Sequence, residues 1–152
     1  MDADRSAIVS ARPAIEVDGQ ARPRLDAGLL RLAVRDGVDG LASCEAEFGN
    51  WGVGEQEQLG HLWFGRDVLE FGKTLRIKLG DQVLFDGRVM AIEATFPPTS
   101  APTLVVRADD RLQDLRMTRR TRHFEGVSDA DVVRQLANDH GLQADVNING
   151  PT

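Results

Sequence analysis

Short segments of alternating apolar and polar residues place the tightest constraint on how this chain can fold. Leu29–Arg35 sets Leu30, Leu32 and Val34 on one side and two arginines on the other. Successive side chains of a strand point to opposite faces, so this spacing predicts a strand with one buried face. The same pattern recurs along the chain and predicts strands at Ala14–Val17, Leu29–Arg35, Ser43–Phe48, Thr74–Leu79, Gln82–Phe96 and Thr103–Arg107.

Strands with one apolar face, joined mostly by short turns, predict a mainly β fold with minor α, built as an antiparallel barrel or sandwich. Asp18-Gly19 and Gly80-Asp81 are typical turn sequences. Gln82–Phe96 is too long for one flat strand, so Asp86-Gly87 is expected to mark a bulge or bend that lets it serve both sides of a barrel. The predicted inward residues are Leu30, Leu32, Val34, Phe48, Leu75 and Ile77.

Two helices are predicted after the last strand. Asp110 is expected to cap a short helix, because a glutamine follows three residues later as in a capping box. The second helix, Ser128–His140, has Asp131 in the box position and Gly141 just past its end. The predicted organisation is a flexible N-terminus (1–12), a β domain with its capping helix (13–120) and the beginning of a second, α+β domain (121–152).

Composition excludes several classes of protein. The net charge of -6 and pI near 5.0 argue against a chain that coats nucleic acid. No apolar run is long enough to span a bilayer, and the acidic N-terminus lacks an apolar signal core. A single cysteine, Cys44, rules out an intrachain disulfide. We therefore expect a chain made in the cytoplasm, with neither nucleic acid nor membrane as a partner of this domain.

Glu45 and Glu47 are paired carboxylates two residues apart on a predicted strand. Two residues apart on a strand is roughly 7 Å, which lies in the range of inverting glycosidases. The alternative is the solvated outer face of a strand whose inner face holds Cys44, Ala46 and Phe48, and we favour it because the alternation is regular. Cys44 is then a small core residue rather than a nucleophile.

The remaining polar residues form no metal-binding or cofactor-binding motif. His61, His123 and His140 lack the spacing of metal ligands, and no phosphate-binding glycine loop is present. We predict no metal, no cofactor and no catalytic residue.

The glycine-rich segment Gly49–Arg66 interrupts the strand pattern. Long loops inside compact domains are usually functional or disordered, and the aromatic content of this one disfavours disorder. We expect an intersubunit contact there, made by Trp51, Leu59, Trp63 and Phe64. The alternative is that these side chains fold back as a satellite cluster on their own domain.

Arginines are concentrated after the predicted short helix, at Arg116, Arg119, Arg120 and Arg122. This segment is either a solvated, self-paired linker or a cationic edge that meets an acidic partner. The stretch 45–70 is acidic, so a repeated subunit could set one region against the other across an interface. Its acids are Glu45, Glu47, Glu55, Glu57, Asp67 and Glu70, against Arg66 alone.

Four segments carry a family resemblance: PAIEVDGQ, GLASCEAEFGNWG, LEFGKTLRIKLGDQVLFDGRVMAIEATFP and RADDRLQDLRMTRRTRHFEGVSDADVVRQLANDHGL. Together they resemble the phage late-control D family, the baseplate hub or spike-base protein of contractile tails, similar to the hub portion of type VI secretion spike proteins. The resemblance implies a tail-tube-like β-barrel at residues 13–120. In that family two barrels per subunit, in a trimer, form a pseudo-hexameric ring between a hexameric tube and a spike.

The resemblance implies a noncatalytic structural part of a baseplate hub, incorporated into a phage tail or injection particle. Its expected partners are a tail tube protein, a spike protein or spike domain, and itself as a homotrimer. Family members usually continue further, so this chain is expected to be an N-terminal part of a hub. The rival functions are a small β-barrel glycoside hydrolase using Glu45 and Glu47, and a small-ligand-binding barrel.

Overall fold

A computed structural model describes residues 12–38, 41–54, 57–117 and 119–147. Its strands are β1 (Ala14–Val17), β2 (Gln20–Ala21), β3 (Leu29–Arg35), β4 (Ser43–Gly49), β5 (Gly52–Val53), β6 (Leu59–Gly60), β7 (Thr74–Leu79), β8 (Gln82–Thr95) and β9 (Thr103–Asp110). Its helices are α1 (Pro23–Gly28), α2 (Gln113–Arg116) and α3 (Asp129–Asp139). The predicted flexible N-terminus lies outside the described residues, apart from Arg12.

The chain divides into two compact units between Asp110 and Arg111. The first contains every strand that the structure describes, together with α1, and the second contains α2 and α3. This division comes earlier in the chain than the boundary drawn at residue 120 from the sequence.

The first unit is built on one antiparallel sheet of seven strands in the order β2-β1-β7-β8-β9-β4-β3. A separate pair, β5 and β6, forms a small hairpin between β4 and β7. The predicted mainly β, antiparallel fold is therefore confirmed. Within the described residues β2 and β3 remain at opposite edges of the sheet, so it does not close into a barrel.

Strand β8 belongs to two half-sheets, β2-β1-β7-β8 and β8-β9-β4-β3. It pairs with β7 through Gln82–Arg88 and with β9 through Gly87–Thr95, so the two pairings overlap at Gly87 and Arg88. The expectation that one long strand serves two sides is confirmed. Apolar residues of both halves pack into a single core that includes Ile15, Val17, Cys44, Ala46, Phe48, Leu75, Ile77, Leu104 and Val106.

The bulges of β8 do not lie at Asp86-Gly87, so the prediction of a bulge there was wrong. Both residues pair regularly with β7, whereas the register slips at Leu84 and again at Met90. Gly87 is required for a different reason. A Cβ atom there would lie 2.2 Å from the carbonyl oxygen of Asp109 and 2.5 Å from the ring of Phe85.

A further bulge corrects the predicted inward face of β3. Leu29 pairs with Phe48 while Arg31 pairs with Glu47, so Leu30 is an extra residue. Its side chain is 62% exposed, and the prediction that it faces inward was wrong. A bulge shifts the alternation by one residue, which explains why Leu29 packs against the core in its place. The other predicted inward residues pack as expected: Leu32, Val34, Phe48, Leu75 and Ile77.

The side-chain cap predicted for the first of the two helices is absent, and the cap predicted for the second is present. Asp110 is the last residue of β9 and pairs with Gly87, so it does not cap α2, which begins without a side-chain cap. For α3 the predicted cap is confirmed: the Asp131 amide donates to the Ser128 hydroxyl at 3.3 Å. The Ser128 hydroxyl donates in turn to the Asp131 carboxylate, which lowers the pKa of that group.

Replacing Gly87 with Ala should lower the free energy of unfolding by about 1–3 kcal/mol, because the added methyl group meets backbone rather than a flexible side chain. Gly60→Ala is the matched control, since a Cβ there meets nothing within 4 Å, and it should change stability by less than about 0.5 kcal/mol. Urea denaturation measures both. Equal stabilities for the two variants would show that the β8–β9 contact at Gly87 is not close-packed.

Candidate protein interface

The loop after β4 is fixed to the first unit by a buried asparagine. Asn50 is fully buried, and its side-chain oxygen accepts from the amides of Leu62 and Trp63 at 3.1 and 2.9 Å. The Trp63 indole donates to the carbonyl oxygen of Gly49 at 3.0 Å, and only 6% of this side chain is exposed. Of the four loop residues expected at an interface, Trp63 is therefore a core residue of its own chain.

Arg24 connects α1 to the same loop. Its guanidinium lies 5.9 Å from the centre of the Trp63 ring and donates to the carbonyl oxygen of Val53 at 2.7 Å. A charge-assisted hydrogen bond thus joins Arg24 to β5, and a cation–π contact joins it to Trp63.

The other three loop candidates are exposed: Trp51 by 47%, Leu59 by 67% and Phe64 by 56%. Trp51 and Phe64 belong to an aromatic cluster around His61, whose ring centre lies 5.2 Å from Trp51, 5.8 Å from Phe64 and 5.6 Å from Phe96. Phe96 and His61 were not predicted as part of this surface. The sequence signal that could have identified Phe96 was its position as an apolar residue immediately after the end of β8.

A groove of about 420 Å³ lies beside the aromatic cluster. Phe64 and Phe71 contribute from the loop, and Ile92 and Ala94 contribute from β8. Ile92 and Ala94 pair with the buried Val106 and Leu104, which places them on the core face of the sheet. The core face of β8 is therefore incompletely covered beyond the bulge at Met90.

Charged side chains occupy the outer face of the sheet. Arg107 binds Glu93 at 2.8 Å and Glu45 at 3.1 Å, and these two partners raise the pKa of the guanidinium. Arg31 approaches Glu45 from β3 at 3.9 Å. A second ladder joins Arg76 to Asp86 and Glu16, and Lys78 to Glu16 (across β1, β7 and β8).

The candidate nucleophile and carboxylates lie on opposite faces of β4. Cys44 is buried, and burial, assisted by the charge of Glu45, raises the pKa of its thiol to about 12. A thiol with this pKa stays protonated at neutral pH, as expected of a core cysteine. Glu45 is held by arginines on the outer face, and neither Glu45 nor Glu47 lines the cavities that the structure describes.

The four clustered arginines of the second unit have different surroundings. Arg122 forms an ion pair with Asp139 of α3. Arg116, Arg119 and Arg120 are exposed, and none of them has an ion-pair partner among the described residues. Arg119, Arg120 and Arg122 line a groove of about 720 Å³ whose apolar wall includes Leu115, Val133 and Leu136, whereas Arg116 does not line it.

Neither a metal site nor a membrane span is found in the part of the chain that the structure describes. No three histidine, cysteine or acidic side chains gather there into a possible metal site. None of the helices there has the length and apolar character needed to cross a bilayer.

A family model described as the Alg8 N-terminal domain matches residues 14–152, from β1 onward through both compact units. The chain belongs to the Alg8 N-terminal domain family. The late-control D family expected from the sequence is a different family, and it stays a hypothesis about function. No curated protein sequence matches this member of the Alg8 N-terminal domain family.

Two solved structures share the fold of this Alg8-family chain. One is the 43 kDa tail protein of prophage MuSo2 from Shewanella oneidensis, with a TM-score of 0.68 and 12% identity over 91% of the chain. The other is a tail protein from Neisseria meningitidis MC58, with a TM-score of 0.58 and 12% identity over 84% of the chain. The chain spans only 40% and 34% of the lengths of these two proteins.

Replacing each of two adjacent aromatic residues of the loop with alanine should show which one belongs to the core of this Alg8-family chain and which one lies on its surface. Trp63→Ala should lower the free energy of unfolding by about 3–5 kcal/mol, because it empties a buried site. Phe64→Ala should change it by less than about 1 kcal/mol, since the side chain is exposed. Chemical denaturation of each variant is the measurement. A larger loss for Phe64→Ala than for Trp63→Ala would contradict the assignment.

Proposed function

We propose that this chain is a noncatalytic structural part of the baseplate hub of a contractile phage tail or injection system, where it adapts a hexameric tube to a trimeric spike. The observation that carries the proposal is a half-sheet of four strands, β8-β9-β4-β3, in which β3 and the Met90–Thr95 segment of β8 have no second strand partner among the described residues. The fold shared with two phage tail proteins and the resemblance to the late-control D family support it.

Both edges of this half-sheet are available for pairing. Among the described residues β3 pairs with β4 alone, and the segment Met90–Thr95 of β8 pairs with β9 alone. Free strand edges present unpaired backbone donors and acceptors, which are ready templates for another strand. Because the two edges differ, pairing β3 of one copy with β8 of the next is a head-to-tail contact, and such contacts form a ring when the rotation between copies closes.

The side chains at the two edges are complementary. On the core face, Leu32 and Val34 of β3 match Ile92 and Ala94 of β8 in apolar character. On the outer face, β3 offers exposed arginines at residues 31 and 35, and β8 offers Glu93, whose side chain is 57% exposed. Opposite charges and apolar pairs across strands each contribute about 0.2–1 kcal/mol.

The rival functions fit less well. A hydrolase would hold Glu45 and Glu47 in a concave site, whereas Glu45 is engaged by Arg107 and Arg31 on the outer face of the sheet. A ligand-binding barrel would need an open apolar interior, whereas buried side chains fill the space between the two half-sheets. We propose no cofactor and no catalytic residue.

The proposed role in a baseplate hub implies a set of partners. They are a tail tube protein, a spike protein or spike domain, and further copies of this chain within a homotrimer of the hub. The domain itself contacts neither nucleic acid nor membrane. The chain is made in the cytoplasm and incorporated into the tail or injection particle.

Placing a lysine at either edge should block self-association without unfolding the chain. Leu30→Lys acts at the β3 edge and Ile92→Lys at the β8 edge. Each should weaken association by at least about tenfold, because a lysine at a strand edge opposes pairing with another strand. Val38→Lys is the control, since Val38 is fully exposed and lies outside the strands. Sedimentation velocity over a concentration series measures association, and thermal denaturation checks folding.

Mixing the two edge variants gives a sharper outcome. Leu30→Lys retains the β8 edge and Ile92→Lys retains the β3 edge, so in an equimolar mixture one edge contact remains and pairing through the edges should stop at the dimer. If either edge variant associates as strongly as the Val38→Lys control, the proposed edge contact is wrong.

A further inference from the structure

The groove of the second unit combines an apolar wall with a rim of three arginines, Arg119, Arg120 and Arg122, and one acid, Asp145, and we refer to it as the basic groove. Leu115, Val133 and Leu136 contribute to the wall and are 39%, 44% and 36% exposed. α3 buries Ala137 but leaves most of its apolar stripe uncovered. Exposed apolar surface in a groove framed by polar residues is typical of a protein-binding site.

The charge of the basic groove is only partly neutralised within its own unit. Arg122 is bound by Asp139, and Asp131 is held by Ser128 and Arg134. Arg119 and Arg120 have no such partner in the residues that the structure describes. An occupant that places carboxylates beside apolar side chains would satisfy both features of the groove.

The loop between β4 and β7 has the complementary chemistry. Leu59 and Phe64 are 67% and 56% exposed, as given above. Two acids flank them, Glu57 and Asp67, which are exposed and form no ion pair with any described residue. By contrast Glu70, further along, is bound by Arg66 at 3.8 Å. We call Glu57, Leu59, Phe64 and Asp67 the acidic loop.

We propose that the basic groove of one copy receives the acidic loop of a second copy. Leu59 and Phe64 then cover the apolar wall, while Glu57 and Asp67 bind Arg119 and Arg120. The proposal rests on the proposed assembly function, because its occupant is another copy of the chain. It uses a surface separate from the β3 and β8 edges, so the two contacts can fail independently.

Charge reversal on each side provides the test. Arg119→Glu/Arg120→Glu makes the groove repel the loop, and Glu57→Lys/Asp67→Lys does the same from the loop. Each double variant should self-associate at least about tenfold more weakly than the parent chain in low salt. Arg116→Glu is the matched control, because Arg116 is exposed in the same segment and does not line the groove. Circular dichroism verifies that each variant is folded.

Mixing the two double variants distinguishes this contact from a general charge effect. In the mixture the native groove of one variant meets the native loop of the other, and the reversed groove meets the reversed loop. Association should therefore return to near the parent level, although each variant alone is impaired. Impaired variants that fail to rescue each other, or variants that associate like Arg116→Glu, would overturn the proposal.

The edge variants separate this inference from the proposed function. If Leu30→Lys and Ile92→Lys abolish association while both charge-reversal variants behave as the parent, the groove contact is wrong and the edge contact stands. If the charge-reversal variants rescue each other while the edge variants behave as the Val38→Lys control, the edge contact is wrong and the groove contact stands.

Discussion

The fold depends on the sharing of β8 between two half-sheets. This strand is hydrogen-bonded to β7 along its first part and to β9 along its second, and the two pairings overlap at Gly87 and Arg88. At Gly87 the backbone of Asp109 and the ring of Phe85 leave no room for a side chain. The buried core that joins the two halves exists because the strand passes between them at this point.

The same arrangement creates the surfaces available for assembly. Because β7 accompanies only the first part of β8, the segment Met90–Thr95 has no strand partner on that side among the described residues. The bulge at Met90 brings Ile92 onto the core face, where 36% of its side chain stays exposed beside the loop. The unpaired edge and the open groove next to it thus have a common origin. Cross-strand ion pairs keep the opposite face of the sheet polar.

The strands could be predicted closely because alternation is a local property of the sequence. The ends of β1, β3 and β7 agree with those predicted, and those of β4, β8 and β9 differ at one end. The bulges at Leu30, Leu84 and Met90 could not be predicted, because a bulge is defined by the pairing of two strands. The helix cap predicted at Asp110 was wrong for the same reason: Asp110 pairs with Gly87 of another strand, and local sequence does not show that pairing.

The candidate interface was predictable in composition but not in detail. The sequence identified the loop aromatics and the arginine cluster, but the burial of Trp63 depends on hydrogen bonds to Asn50 and Gly49, which no periodic pattern reveals. Phe96 is distant in sequence from His61, although their ring centres are 5.6 Å apart. The pairing of the four clustered arginines depends on α3: within the described residues Arg122 alone of the four forms an ion pair, with Asp139.

The role proposed for this chain is to join a tube to a spike through the edges of its sheet. Cryo-electron microscopy of contractile particles purified from the organism that makes the chain tests this most directly. We expect density for the chain at the junction of tube and spike, with β3 of each copy beside Met90–Thr95 of a neighbouring tube-like domain. Particles that lack the chain, or that contain it with both edges exposed to solvent, would contradict the account.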